Sequence, residues 1–200
     1  MNNHHNEDAQ YMAQIAAGDG AAVKILYERH GRALLRFSAA MCRSRQAAED
    51  LLHDTFVDLL GEAGHYDAAQ GTVFAYLCGV LRHRVSHHHR REKRWLPLGE
   101  DHLETRPHEA ESPSDAIARS ENTAAFRRAM LELPAPHREI IALCDLEELP
   151  YSTVASILDC PIGTVRSRLH RARALLTIRL ASLEIIELQT DLPLAERSLT

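Results

Sequence analysis

The chain has 200 residues, of which 45% are hydrophobic and 26% are charged, with a formal net charge of -5. This length suits one or two small domains, and this composition supports a buried core and excludes a wholly disordered chain. Aromatic residues make up only 5% of the chain and helix formers predominate, which favours an all-helical protein over a β-sandwich or a β-barrel.

Four helices are predicted in the first half. A short helix over residues 8–17 ends at the sequence GDG, and a longer helix follows with an apolar stripe from Val23 to Phe37. A third helix, from about Gln46 to Leu60, is apolar on one side and acidic on the other. After a glycine-rich loop, a fourth helix begins near Val73 and ends in the basic run RHRVSHHHRREKR. These helices predict one compact bundle over residues 8–95.

Residues 96–115 interrupt the helical pattern. This segment is acidic, contains three prolines and lacks periodicity, which predicts a flexible linker between two domains. A second helical unit follows over residues 116–180, with helices from about Ala116 to Leu133, after Pro136 and over the sequence YSTVASILD. The tail, residues 181–200, holds at most a short helix from Ala181 to Leu188.

The sequence CPIGTVRSRLHRARALL completes a helix-turn-helix pattern. Asp159 tolerates the left-handed backbone of a tight turn, and Pro161 suits the first turn of a helix. The buried side of the second helix repeats at i, i+4, i+7 and i+11, through Val165, Leu169, Ala172 and Leu176. The outward face is then Thr164, Ser167, Arg168 and Arg171, flanked by Arg166, His170 and Arg173.

This outward face suits DNA, because arginine binds guanine edges and phosphates in bidentate fashion. Periodicity alone leaves a second interpretation open, a solvated basic face on an ordinary bundle helix.

No apolar run approaches the roughly 20 residues that cross a bilayer, and the N-terminal MNNHHNEDAQ lacks a signal-peptide core. A cytoplasmic protein is therefore expected. The four cysteines (Cys42, Cys78, Cys144 and Cys160) are widely spaced and form no CxxC pair. We interpret them as buried free thiols rather than as a disulfide frame or a zinc site.

Three segments occur in a distinctive order: AEDLLHDTF, then GTVFAYLCGVLRHRV, then LPAPHREIIALCDLEELPYSTVASILDCPIGTVRSRLHRARALL. Together they resemble the bacterial extracytoplasmic-function (ECF) RNA polymerase sigma factors over roughly residues 20–95 and 120–180. The resemblance implies two helical domains joined by a flexible linker, the second a helix-turn-helix domain of winged-helix-like type. It also implies core RNA polymerase and promoter DNA as partners, a separate anti-sigma factor as regulator, and neither a catalytic activity nor a cofactor.

The resemblance assigns the third helix to core polymerase. The matching residues are Glu49, Asp50, Leu51, Asp54 and Phe56. A mixed acidic and apolar surface suits a basic coiled-coil partner, although an exposed acidic helix face is the simpler alternative.

The loop over residues 62–72 and the basic fourth helix would bind the minus-ten promoter element. An aromatic side chain in the loop would stack on an extruded base, although a loop tyrosine is equally often structural. Basic side chains would neutralise phosphates. The predicted residues are Tyr66, Tyr76, Arg82, Arg84, Arg90, Arg91, Lys93 and Arg94.

The helix after Pro161 would read the minus-thirty-five element in the major groove. The residues that match the family here are Thr164, Arg166, Ser167, Arg168 and Arg171.

Several residues depart from the family pattern. Val73 and Tyr76 stand where Phe and Trp are usual, and His83 and His87 stand where Asn and Asp are usual. These changes leave the minus-ten preference open. Pro150 replaces the usual polar helix cap, and Asp159 replaces the usual turn glycine; both changes are physically tolerable.

Two other classes of protein were weighed. A stand-alone regulator would use the same helix-turn-helix, but it would not explain the tandem acidic and basic helices of the first half. A metal-dependent enzyme would need a motif such as HExxH, a phosphate loop or a nucleophile elbow, and none is present. His83 and His87 have the i, i+4 spacing of metal ligands, yet histidines on a DNA-facing helix that gain charge below about pH 6.5 are the simpler interpretation.

Overall fold

The structure, a computed structural model, describes residues 2–95 and 113–190, with side chains described over residues 6–91 and 122–183. These ranges contain helices and no β-strand, so the all-α prediction is confirmed. The expected linker lies outside the described residues up to position 112. The helices are α1 (Asn2–Ala16), α2 (Ala21–Met41), α3 (Arg45–Glu62), α4 (Val73–Trp95), α5 (Pro113–Glu132), α6 (Ala135–Ile141), α7 (Tyr151–Leu158) and α8 (Ile162–Thr190).

The breaks between α1, α2 and α3 follow local sequence chemistry. Gly18 has a φ of 97°, in the left-handed region where glycine is favoured, and this ends α1. The side chain of Asp19 accepts a hydrogen bond from the Ala21 amide at 2.9 Å as α2 begins. Ser44 caps α3 by accepting a bond from the Ala47 amide at 3.3 Å. The predicted break at GDG is therefore confirmed, and α3 begins at Arg45, one residue before the predicted start near Gln46.

A buried carboxylate holds α1 against α2. Asp8 is 5% exposed, accepts a hydrogen bond from Arg29 and lies 2.8 Å from Nε2 of His30. A buried charge requires such partners. Burial is the main cause that lowers the pKa of His30, and the neighbouring Asp8 opposes it. Helix α1 begins at Asn2, six positions before position 8, where the sequence predicts its start.

The C-terminal helices contain one irregular turn and one unexpectedly long helix. After α6 the backbone makes a wide π-helical turn over Ala142–Leu146, and Glu148 then adopts a left-handed conformation with φ of 50°. The prediction of a separate short helix from Ala181 to Leu188 is wrong, because α8 continues to Thr190. No glycine or proline follows Gly163 until Pro193, so nothing interrupts the helix.

The N-terminal half (residues 2–95) and the C-terminal half (residues 113–190) pack against each other. Helix α2 contacts α5, α6 and the π-helical turn, and α4 contacts α7. The buried apolar side chains of both halves form one continuous cluster. We call this the interdomain contact. No helix in the described part of the chain has the length and hydropathy to cross a membrane.

All four cysteines are free thiols. Cys42 and Cys78 are buried as predicted, whereas Cys144 and Cys160 are only partly buried. Burial raises the pKa of Cys78 far above its usual range, and burial together with Asp145 raises the pKa of Cys144 to about 11. Neither thiol therefore has the thiolate character of a reactive cysteine.

Candidate nucleic-acid interface

The turn between α7 and α8 has the geometry of a helix-turn-helix. Asp159 ends α7 in the left-handed region, with φ of 48° and ψ of 56°, and the Cys160 amide donates to the carbonyl of Ala155 at 3.0 Å. This pairing is the usual C-terminal helix closure around a left-handed residue. The carbonyl of Pro161 then accepts bonds from the amides of Thr164 and Val165 as α8 begins. The predicted turn is confirmed.

One face of α8 is buried and the opposite face is open. Val165, Leu169 and Ala172 lie in the core. Arg166, Ser167 and Arg171 are exposed, and Thr164 and Arg168 are half-buried. In the described part of the chain, no carboxylate forms an ion pair with the arginines of this face, namely Arg166, Arg168 and Arg171. Their guanidinium groups are available to a phosphate or a guanine edge.

Arg173 differs from the three arginines of the open face of α8. It donates from Nε and Nη2 to the two carboxylate oxygens of Asp145, at 3.0 and 2.6 Å. These bonds raise the pKa of Arg173. This bidentate pair joins α8 to the π-helical turn, so Arg173 positions the helix and does not belong to its open face.

The basic part of α4 is divided between free and paired side chains. Arg90 and Arg91 are exposed, and among the described residues Arg90 donates to the carbonyl of Ser86 alone, at 3.3 Å. Arg82 instead donates to Glu139 of α6 at 3.0 Å. Lys93 and Arg94 lie on α4, but their side chains fall outside the described residues.

Arg84 connects α4 to α3. Its Nε donates to Asp58 at 2.8 Å and its Nη1 to Asp54 at 3.1 Å. The sequence had placed Arg84 with the minus-ten residues and Asp54 with the polymerase residues, and the structure brings these two side chains together. The sequence signal for this contact was the i, i+4 spacing of Asp54 and Asp58 on α3, which places two carboxylates where one basic side chain of a neighbouring helix can bind both.

The two tyrosines of the minus-ten prediction close the loop before α4. The hydroxyl of Tyr66 donates to the carbonyl of Gly71 at 3.0 Å, and that of Tyr76 donates to the carbonyl of Glu62 at 3.2 Å. Their rings meet edge to face, with centroids 5.7 Å apart. Burial is the main cause that raises the pKa of both tyrosines. The contacts shape the loop, and stacking of Tyr66 on a displaced base stays a prediction.

A groove of about 930 Å³ runs between α3 and α4. The loop over residues 65–72 lies at one side of it, and Ser156 and Ile157 of α7 lie at another. The side chains that give the groove its mixed charge are Asp50, Asp54, Asp58, His83, Arg84, His87 and Arg91. No three His, Cys, Asp or Glu side chains of the described residues are arranged to hold a metal ion, so His83 and His87 gain no further ligand.

The outer face of α3 is acidic at its start and apolar at its end. Glu49 pairs with Arg45 at 2.8 Å, and Asp50 accepts a bond from Gln46 at 2.8 Å. Leu51 is half-buried. Phe56 is only 4% exposed and packs edge to face on Tyr27 at 5.0 Å, so it supports this face from within the core.

Two exposed apolar residues on this face were not among the predicted polymerase contacts. Val57 is 50% exposed and Leu60 is 55% exposed. The signal was present in the helical spacing, because positions 50, 53, 57 and 60 fall on one side of a helix.

Comparison with known proteins identifies the family. The Sigma-70 region 2 family matches residues 26–95, and the Sigma-70 region 4 family matches residues 123–176. The chain is 32% identical over 174 residues to the ECF RNA polymerase sigma factor SigM of Mycobacterium tuberculosis, covering 86% of this chain and 83% of SigM. The chain belongs to the ECF RNA polymerase sigma factors. As an ECF sigma factor, it binds core RNA polymerase and directs promoter-specific transcription initiation.

Two further relatives are sigma factors, and one more solved structure shares the fold. The RNA polymerase sigma-H factor of Pseudomonas aeruginosa is 25% identical over 175 residues, covering 84% of this chain and 90% of that protein. Among solved structures, the sigma factor RpoE of Bartonella quintana, in complex with the anti-sigma factor NepR, is 25% identical. It matches with a TM-score of 0.65 over 79% of this chain and 96% of that chain. CnrH, in complex with the cytosolic domain of CnrY, shares the fold, with a TM-score of 0.66 and 23% identity over 88% of this chain and 97% of that chain.

Proposed function

We propose that this ECF sigma factor uses three separate surfaces to bind core polymerase and the two promoter elements. Residues 8–95 form the unit for core polymerase and the minus-ten element, and residues 116–180 form the unit for the minus-thirty-five element. Residues 96–115 connect the two units, and residues 181–200 form the tail, of which the part up to Thr190 extends α8.

The observation that carries the proposal is the open arginine face of α8 beside the left-handed turn at Asp159, a face whose arginines pair with no carboxylate of the described residues. A major groove about 12 Å wide accepts one α-helix. The core contacts of Val165 and Leu169 hold α8 in place, so Arg166 and Arg171 point away from the protein, with the half-buried Arg168 beside them. With Thr164 and Ser167, they are the proposed minus-thirty-five contacts.

The minus-ten surface is proposed on α4 and the loop before it. Arg90 and Arg91 are exposed for phosphates, and Lys93 and Arg94 extend the same basic run. Arg82 joins them once it is released from Glu139. Tyr66 and Tyr76 hold the loop that receives the displaced base, and Arg84 serves the surface indirectly by holding α4 against α3.

The core polymerase surface is proposed on the outer face of α3. Glu49, Asp50 and Asp54 offer negative charge to a basic coiled coil, and charge complementarity promotes association with the right partner. The exposed apolar side chains of Val57 and Leu60 continue this face and add apolar area at its end. Leu51 lines the adjoining groove between α3 and α4, and Phe56 supports the face from the core.

We further infer that the protein acts by binding alone, without catalysis of its own, and that it works in the cytoplasm beside RNA polymerase and DNA. Control by an anti-sigma factor is proposed on the likeness to RpoE, whose solved structure contains the anti-sigma factor NepR.

The test is run-off transcription with purified core polymerase on DNA taken from upstream of the protein's own gene. Discrete transcripts that require both components are expected. The double variant Arg168→Ala with Arg171→Ala should lose these transcripts and still co-elute with core polymerase. The matched control is Arg179→Ala on the same helix, whose partner is Glu132 at 3.6 Å, and it should transcribe as the unchanged protein does.

Two results would contradict the proposal. Loss of co-elution in the double variant would mean that α8 binds polymerase and that the two units are assigned the wrong way round. Specific DNA binding without any co-elution of the unchanged protein would favour a stand-alone regulator.

A further inference from the structure

The groove between α3 and α4 has an acidic wall and a wall rich in histidine. Among the described residues its lining holds five carboxylates, two arginines and four histidines. The carboxylates are Asp50, Asp54, Asp58, Glu62 and Asp67, the arginines are Arg84 and Arg91, and the histidines are His65, His83, His87 and His88. The formal charge of this lining is therefore -3 when the histidines are neutral and +1 when all four are protonated.

The histidines alone change this charge near neutral pH. Histidine is the side chain whose ordinary charge change falls between about pH 5 and pH 8. Tyr66 and Tyr76 also line the groove, but burial is the main cause that raises the pKa of both, so they stay neutral. Helix α7 contributes Ser156 and Ile157, which carry no charge. As the pH falls, the lining thus changes from one that repels anions to one that attracts them.

His83, His87 and Arg91 lie in one row along α4. Their spacing is i, i+4 and i+8, which places side chains above one another on a helix, about 6 Å apart along its axis. All three side chains are exposed. Neither of these two histidine rings has a hydrogen bond or an ion pair in the described part of the chain. Both rings are therefore open to a proton and to a ligand.

The other arginine of the groove is already bound. Arg84 donates to Asp58 at 2.8 Å and to Asp54 at 3.1 Å, so its charge is used between α3 and α4. A phosphate in the groove would then find Arg91 as its arginine, opposite five carboxylates. This is a poor site for an anion at neutral pH. Protonation of His83 and His87 adds two cations in line with Arg91.

The position of this row indicates a nucleic-acid strand as the ligand. Arg91 belongs with Arg90 to the exposed basic run of α4, and the row continues from it along the groove toward the loop over residues 65–72. A protonated imidazole donates from both ring nitrogens, and hydrogen bonds between charged groups are stronger than neutral ones. A row of exposed cations along a groove suits a single strand with its repeated phosphates.

We propose that His83 and His87 are phosphate-binding residues of the groove between α3 and α4, and that a single DNA strand takes up protons as it binds there. The strand is held weakly when the two rings are neutral and more tightly as the pH falls through the ordinary range of histidine. The inference rests on the proposed assignment of α4 to the minus-ten element, and it adds a dependence on pH that this assignment alone does not require.

The experiment uses the holoenzyme assembled from core polymerase and the full chain. Fluorescence anisotropy at constant ionic strength measures its affinity, at pH 7.5, 6.5 and 5.5, for a labelled single strand from the promoter mapped by run-off transcription. Calorimetry at pH 6.5, in two buffers of different ionisation enthalpy, counts the protons taken up on binding. Core polymerase alone provides the baseline at each pH, and circular dichroism verifies that each variant is folded over this range.

Two double variants bracket the unchanged protein. His83→Gln with His87→Gln removes both titratable charges, whereas His83→Arg with His87→Arg makes both charges permanent. The matched control is His137→Gln on α6, which replaces a half-buried histidine that does not line the groove.

We expect the unchanged holoenzyme to bind the strand about tenfold more tightly at pH 5.5 than at pH 7.5, because each of two exposed charge contacts contributes a few-fold. The glutamine pair should bind weakly and the arginine pair tightly at every pH. Each should change by less than about threefold, the share left to His65 and His88. Proton uptake should fall in both pairs, and His137→Gln should keep the full change in affinity and the proton uptake.

An affinity of the unchanged holoenzyme that is the same at pH 7.5 and at pH 5.5 would overturn the proposal and leave the assignment of α4 intact. The same conclusion would follow if both double variants kept the full dependence on pH and the full proton uptake. If neither the unchanged holoenzyme nor the arginine pair bound the strand above the baseline at any pH, the proposal and the assignment of α4 would both be wrong.

Discussion

Arg84 of α4 and Asp58 of α3 form a hydrogen-bonded ion pair, with 2.8 Å between Nε and Oδ2. The helix proposed for the minus-ten strand and the helix proposed for core polymerase are therefore fastened to each other. The same guanidinium also reaches Asp54 at 3.1 Å, so the acidic polymerase face is oriented from behind by a residue of the DNA-binding helix.

Replacing Arg84 should therefore affect the polymerase surface. We expect Arg84→Ala to lower the free energy of unfolding by about 1–2 kcal/mol, because it removes charge-assisted bonds and leaves two carboxylates side by side. Urea denaturation measures this change, and co-elution with core polymerase should weaken in parallel. Arg84→Lys should recover part of the stability, and a fully stable Arg84→Ala would show that the pair does not hold α3 to α4.

The arginines of α8 should separate into two groups by the salt dependence of DNA binding. Removing Arg171, which is exposed and proposed to contact DNA, should reduce the slope of log affinity against log salt by about 1 if it binds a phosphate. Arg173→Ala should leave that slope unchanged and lower the free energy of unfolding by up to about 1 kcal/mol, through loss of the Asp145 pair. Equal slopes in the two variants would mean that the open face has been misplaced.

Substitutions at Asp159 test the turn between α7 and α8. With φ at 48°, a β-branched side chain is strained there, so Asp159→Val should lower the free energy of unfolding by about 1–2 kcal/mol. Asp159→Gly should be neutral or stabilising, and it should keep minus-thirty-five binding. Thermal unfolding of the two variants side by side provides the comparison, and a valine variant as stable as the glycine variant would contradict the left-handed assignment.

The stability of the N-terminal half should fall as the pH decreases below about 6.5. The pKa of His30 is lowered from 6.5, mainly by burial, so the unfolded chain binds a proton that the folded chain resists. The stabilising contribution of the neutral His30 is therefore complete above the pKa that this histidine has in the unfolded chain. It is lost as the pH falls toward the lower pKa of His30 in the folded chain. Asp8 favours the protonated form of the His30 ring, and Arg29 disfavours that form. The ring of Phe74 packs against the His30 ring, with centroids 5.7 Å apart.

The matching measurement is the free energy of unfolding at pH 7.5 and at pH 5.5, for the unchanged protein and for His30→Gln. The variant should show a smaller loss between the two pH values. An unchanged loss would assign the pH dependence to other groups.

Elements that depend on neighbouring residues were predicted well. The turn at Asp159 and the buried stripe of Val165, Leu169 and Ala172 follow from local backbone preference and from helical periodicity, both of which are written in a few adjacent residues. The continuous α8 was missed, because the tail was predicted as a separate short helix from Ala181 to Leu188 although no helix-breaking residue precedes Pro193.

The pairing of charged side chains could not be predicted in the same way. Arg82 and Arg84 are identical as sequence letters, yet one bonds to Glu139, 57 positions away, and the other to Asp58, 26 positions away. Nothing local distinguishes them from the exposed Arg90. Which arginine is free and which is paired depends on the packing of distant helices.

The amino-acid sequence by itself determined the helices, the helix-turn-helix and the family, because propensity, periodicity and motif spacing are local properties. Only the tertiary structure decided that Tyr66 and Tyr76 close their loop and that Arg84 fastens α3 to α4. It alone also decided that the C-terminal half contacts α2 through Arg36–Glu147 and α4 through Arg82–Glu139. Those contacts arise when helices far apart in the chain bury a shared apolar cluster, and their partners are selected by that packing.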